Sequence, residues 1–194
     1  MNHRGTNVAA WLVTLALAGS LCSFAEDPAA TKGPLNFAAL RKSERAVDMR
    51  IERFDTDSPL EVIGATRAVY LNGTGLVYSL EVSLAPAVGI SPFFTRMPPE
   101  LVEKIHKAKR ARVPVLRDLM LSLMPELAVT LAGLPAEEDL VMAVTLFYFP
   151  YEKMDGLPRQ LIVRGNAGAL RKLHVATTTA TAAQVRAVSK VLLY

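Results

Sequence analysis

Few residues in this chain have the type and spacing that chemistry requires. His106 and His174 lie far apart, and no HExxH or paired-histidine spacing joins them. His106 also sits among Lys104, Lys107, Lys109 and Arg110, a setting that repels a metal cation. Asp55 and Asp57 lack the glycine and spacing of a calcium loop and read as a polar helix stop. No Gly-x-Ser-x-Gly elbow occurs, and nothing selects a serine to pair with either histidine. Glu137, Glu138 and Asp139 form the densest acidic run, but acids just ahead of an apolar strand ordinarily solvate a turn. Gly73-Thr74-Gly75 is a fragment of a glycine loop between two strands, where a phosphate cradle would need a helix to follow. Asn72-Gly73-Thr74 matches a glycosylation sequon. No catalytic residue, metal ligand or cofactor is expected.

Two segments point instead to contact. Residues 104–117 hold Lys104, Lys107, Lys109, Arg110, Arg112 and Arg117 with no acid between them. On a helix, His106, Lys107, Arg110 and Arg117 fall within a sector of about 100°. Lys104, Lys107, Arg110 and Arg117 are therefore candidate contacts to an anionic surface. Lys109 and Arg112 intrude on the apolar side beside Ile105 and make that amphipathicity imperfect. In the loop 86–98, the adjacent Phe93 and Phe94 are candidate contacts to a partner protein.

The N-terminus sets the expected compartment. His3 and Arg4 precede an apolar run, residues 8–21, and Ser23-Phe24-Ala25 supplies the small-x-small pattern of a secretory signal. Cleavage is expected between Ala25 and Glu26. The run is shorter than the roughly 20 apolar residues of a spanning helix. A retained anchor and a lipoprotein are the alternatives, the latter opposed by Leu21, which is not small, just before Cys22. Trp11 and Cys22 would leave with the leader, so residues 26–194 would be free of cysteine. The mature chain is expected to be periplasmic or secreted and to hold no transmembrane segment. Nucleic acid is then a poor partner, although the whole chain carries a net charge of +4.

The elements that must position these residues follow from periodicity. A hydrophobic fraction of 51% excludes a disordered chain, and 194 residues suit one domain. Residues 26–36 read as a flexible lead-in to a single domain, 37–194. Leu40, Val47, Ile51 and Phe54 recur at helical spacing over residues 37–54. Leu76, Tyr78, Leu80, Val82 and Leu84 alternate with Val77, Ser79, Glu81 and Ser83, and Asn72-Gly73 precedes them, which predicts a hairpin over 62–84. A helical region over 99–132 contains Pro114 and Pro125, so two helices or one kinked helix are expected. Residues 140–149 are apolar on both alternating faces and read as a central strand covered on both sides. A short strand at 160–164 is its expected hairpin partner. One or two helical turns follow at 166–173, then a Thr/Ala linker at 177–181. Residues 184–194 fit helix or strand. The predicted class is α+β, an antiparallel sheet of two hairpins covered by helices, after a cleaved signal peptide.

The hairpin Tyr70-Leu71-Asn72-Gly73-Thr74-Gly75-Leu76, the leucine-rich helix over 116–131 and the turn Leu134-Pro135-Ala136-Glu137-Glu138 resemble a group of uncharacterised exported bacterial proteins. The resemblance spans about residues 60–165. It implies export and an α+β fold, with no known activity. The Thr-rich stretch 177–181 departs from the more charged tail of that group. The expected function is that of a non-enzymatic envelope protein acting through contacts with an unknown envelope protein or an anionic surface. The alternative is a hydrolase of envelope material using acids with Tyr70, Tyr78 or His174.

Overall fold

Asn36 starts the first helix, its side-chain oxygen accepting a hydrogen bond from the Ala38 N–H at 2.8 Å. The computed structural model describes residues 35–55, 57, 59–85, 97–176 and 181–194. Helix α1, Phe37–Glu52, leads to strand β1, Glu61–Leu71, and β2, Gly75–Ser83. Helix α2, Pro99–Thr130, then carries the chain to β3, Asp139–Leu146, and β4, Gln160–Asn166. Helices α3, Ala167–Ala176, and α4, Ala182–Val188, precede β5, Ser189–Leu193. The fold is α+β, with a five-stranded sheet in the order β1-β2-β3-β4-β5.

The sheet is mixed, which corrects the expectation of an all-antiparallel one. Both expected hairpins form, β1 with β2 and β3 with β4. They are joined side by side through parallel pairing of β2 with β3. The long α2 returns the chain to the end where β2 began, so β3 must run alongside β2 in the same direction. Gly75 sits where the two strands first meet, at φ +139°, and a Cβ there would strike the Asp139 carbonyl. The C-terminal stretch resolves as both alternatives in turn: α4 has a Thr181–Gln184 capping box, and the chain then extends along β4.

Helix α2 is one helix of 32 residues, with Pro114 and Pro125 inside it. Packing outweighs the two lost hydrogen bonds, because Leu116, Leu119, Met120, Leu123, Leu127 and Leu131 are all buried. They meet Leu76, Tyr78, Leu80 and Val82 of β2 and Leu140, Met142, Val144 and Leu146 of β3 in one core. The carbonyls at the end of α2 are satisfied from α3: Arg171 donates to Ala128 O at 2.9 Å, to Leu131 O at 3.1 Å and to Leu134 O.

The other sheet face departs from expectation. The reading of 140–149 as covered on both sides fails, because Val141 and Ala143 stay partly exposed and Thr145 is exposed. Among the described residues, the helices pack on one face only. No helix among these residues is long and apolar enough to cross a membrane.

Candidate functional site

The uncovered face is built by register. One row across the sheet reads Val69, Val77, Val141, Arg164 and Lys190. The next reads Arg67, Ser79, Ala143, Ile162 and Leu192. Strand alternation places every member of these rows on the same side. Val69 is 54% exposed, Leu71 48% and Leu192 40%. The result is an apolar band with basic residues at its margins.

A cleft of about 690 Å³ lies at one end of this face. Its lining includes Glu81, Thr145, Phe147, Phe149, Gln160 and Tyr194. Phe147 meets Phe149 edge-on with centroids 4.9 Å apart, and Phe149 stacks on Tyr151 at 5.3 Å. Aromatic faces beside a carboxylate and a carboxamide suit recognition of a partly apolar partner.

The aromatic loop is fixed from behind by the segment that sequence reading took as a basic face. Lys109 points inward, 1% exposed, and donates to Glu152 at 2.6 Å and to Phe147 O at 3.2 Å. Its ammonium also lies 5.0 Å from the centre of the Tyr148 ring. His106 is buried, with Nε2 2.8 Å from Asp155 O. Glu103 and Lys153 pair at 3.0 Å on the surface, which lowers the Glu103 carboxyl and raises the Lys153 ammonium. Burial, followed by the nearby Glu152 charge, pushes the Tyr148 hydroxyl up to about 12 and also raises Tyr151. The phenols therefore stay neutral. Arg112 likewise serves structure, donating to Leu84 O at 2.7 Å.

Of the four basic residues expected to meet an anionic surface, Lys104, Lys107 and Arg110 lie exposed on α2. Arg117 differs, paired with Asp118 at 3.0 Å. His106 does not share their outer face. Phe93 and Phe94, and the cleavage site Ala25–Glu26, lie outside the described residues.

The acidic run is a latch. Glu138 is buried, and its Oε1 accepts from the Tyr70 hydroxyl at 3.0 Å and the Gly73 N–H at 2.9 Å. It thus holds the β1–β2 turn against the start of β3. Burial and the Glu138 contact raise the Tyr70 hydroxyl. Asp139 pairs with Arg164. Tyr78 is fully buried and donates to Ser43 Oγ at 2.6 Å, while Ser43 donates to Leu40 O at 2.6 Å. Burial, with the nearby Glu44 charge, lifts its hydroxyl to about 12. Tyr70 and Tyr78 thus serve separate structural contacts, and no hydrogen bond joins His174 to either among the described residues. No cluster of metal-binding side chains occurs among those residues.

Sequence reading missed the aromatic ladder at Phe147, Phe149 and Tyr151. Its signal was present: alternate aromatic residues continue the β3 alternation past Leu146 and onto the open side. A scan of protein-family models and searches of characterised proteins and of solved structures each found nothing that matches this chain.

Proposed function

We propose that this chain is an exported, non-enzymatic protein that works by contact, docking an envelope protein on the uncovered face of its sheet. The observation that carries the reading is the in-register apolar band through Val69, Val77, Val141, Ala143 and Ile162 on a face without helices among the described residues. Bands of this kind mark protein contact surfaces. The aromatic cleft at its end offers the anchoring pocket that such interfaces use. The signal-like residues 8–25 and the resemblance to exported bacterial proteins support the periplasm or medium as the compartment.

A photoreactive side chain at Ala143, in intact cells, tests the reading. It should yield a discrete protein adduct, whereas the same group at Ala108 on the outer side of α2 should not. Turnover of a cell-wall substrate by the purified protein, with no adduct at Ala143, favours the hydrolase instead.

A second reading rests on Lys104, Lys107 and Arg110, which are exposed and form no ion pair among the described residues. Such a ridge suits an anionic surface. Binding to vesicles containing anionic lipid should then weaken with salt and with Lys107→Glu and Arg110→Glu; unchanged binding removes the reading.

A further inference from the structure

The two edges of the sheet are treated differently. On β1, two outward N–H groups in the middle of the strand are taken by α1. Asp48 accepts from the Thr66 N–H at 3.1 Å and from its hydroxyl at 2.5 Å. Glu44 accepts from the Ala68 N–H at 2.8 Å. Two carboxylates one helical turn apart thus blunt this edge against further strand pairing. The irregular register between Ile63 and Arg67 interrupts it further.

Among the described residues, no such device covers β5. Gln160 and Tyr194 exchange both main-chain hydrogen bonds at 3.1 Å, which fixes the alternation along the strand. Lys190 and Leu192 therefore direct their main chain toward β4, and Ser189, Val191 and Leu193 direct theirs outward. Those outward groups have no hydrogen-bond partner among the described residues. Exposed apolar side chains also gather here: Val188 at 36%, Leu192 at 40%, Leu193 at 54% and Tyr194 at 65%.

We infer that β5 pairs antiparallel with β5 of a second copy of this chain, about a two-fold axis at Val191, giving one continuous sheet. The strand is its own complement in this register. Val191 faces Val191 of the second copy, and Ser189 faces its Leu193, with about six main-chain hydrogen bonds in all. Lys190, the strand's one charged residue, stands opposite Leu192 of the second copy and not opposite its own counterpart. Like charges are thus kept from facing each other directly. Because Asp48 and Glu44 close the other edge, association stops at two copies and does not run on into a filament. The pairing extends the uncovered face across both copies and leaves its apolar band free for the partner proposed above.

Sedimentation of the full chain from micromolar to submillimolar concentration should give a reversible monomer–dimer equilibrium. Leu193→Pro removes an outward N–H and no bond to β4, and edge strands tolerate such a proline. It should weaken dimerisation about tenfold or more, a loss of at least about 1.4 kcal/mol. In a Cys22→Ser background, Lys190→Cys and Leu192→Cys variants mixed one to one should form a mixed disulfide faster than either forms its own. The opposed positions are a close, non-hydrogen-bonded pair. A chain that stays monomeric throughout overturns the inference, as does a dimer indifferent to Leu193→Pro. If Leu193→Pro fails to fold, the disulfide test decides: no excess of mixed dimer overturns the pairing.

Discussion

Lys109 and Glu152 leave solvent together, and their 2.6 Å contact compensates each for the water it gives up. Lys109→Met strands a buried carboxylate and should cost about 3–5 kcal/mol in urea denaturation, whereas Lys109→Met with Glu152→Leu should recover most of that loss. Glu138 acts on a turn. Glu138→Ala leaves the Gly73 N–H and the Tyr70 hydroxyl without their acceptor and should cost about 1–3 kcal/mol by the same measurement. Glu138→Gln, which keeps an acceptor oxygen, should cost less. Tyr78 gives the pH dependence. Its folded value near 12 lies above the usual value of 10 for an unfolded tyrosine. The unfolded chain therefore releases this proton first, so the contribution is complete below pH 10 and declines as pH rises toward 12. Tyrosinate absorbance should show Tyr78 and Tyr148 ionising after the exposed tyrosines, and the denaturation midpoint should fall over the same range. The sequence marked Lys109 as an intruder on an apolar helix side but held no sign of its partner, because Glu152 is 43 residues away. The same holds for Glu138, whose partners Tyr70 and Gly73 are 68 and 65 residues distant.

At the scale of elements, local pattern was a good guide wherever one face is apolar. The β1–β2 hairpin followed from its alternation and from Asn72-Gly73, and α1 ends within a turn of the expected position. Partnership between elements was less legible. Nothing local to β2 or β3 states that they pair in parallel; that depends on the length and path of α2. Val141 and Ala143 looked like core because both sides of β3 are apolar, yet one side is uncovered by helices among the described residues. Proline also misled only in part: the apolar stripe of α2 holds the helix together through Pro114 and Pro125. The sealing of β1 by α1 has its own test. Asp48→Ala with Glu44→Ala frees two strand N–H groups, which should cost about 1–3 kcal/mol per unmet donor in denaturant. It should also produce species larger than a dimer by light scattering, because both sheet edges are then open.

For the whole molecule, the contrast between the two faces of the sheet governs the functional reading. One face is buried under α2 and its neighbours and supplies stability. The other presents an apolar band that no helix covers among the described residues. Several residues that looked chemical in the sequence make supporting contacts: His106 and Lys109 hold the aromatic loop, Glu138 holds a turn, and Tyr78 lies in the core. The apolar band is made of ordinary strand residues, which carry no motif, so that part of the candidate surface could not be read before the register was known. The most direct test of that surface is to place charge on it. Val69→Lys with Ala143→Lys changes side chains on the uncovered face and should shift unfolding stability by no more than about 0.5 kcal/mol per site. Photocrosslinking from Val141 in the same cells should then lose its protein adduct. An adduct of unchanged yield, from a variant that folds as the parent does, would contradict the account.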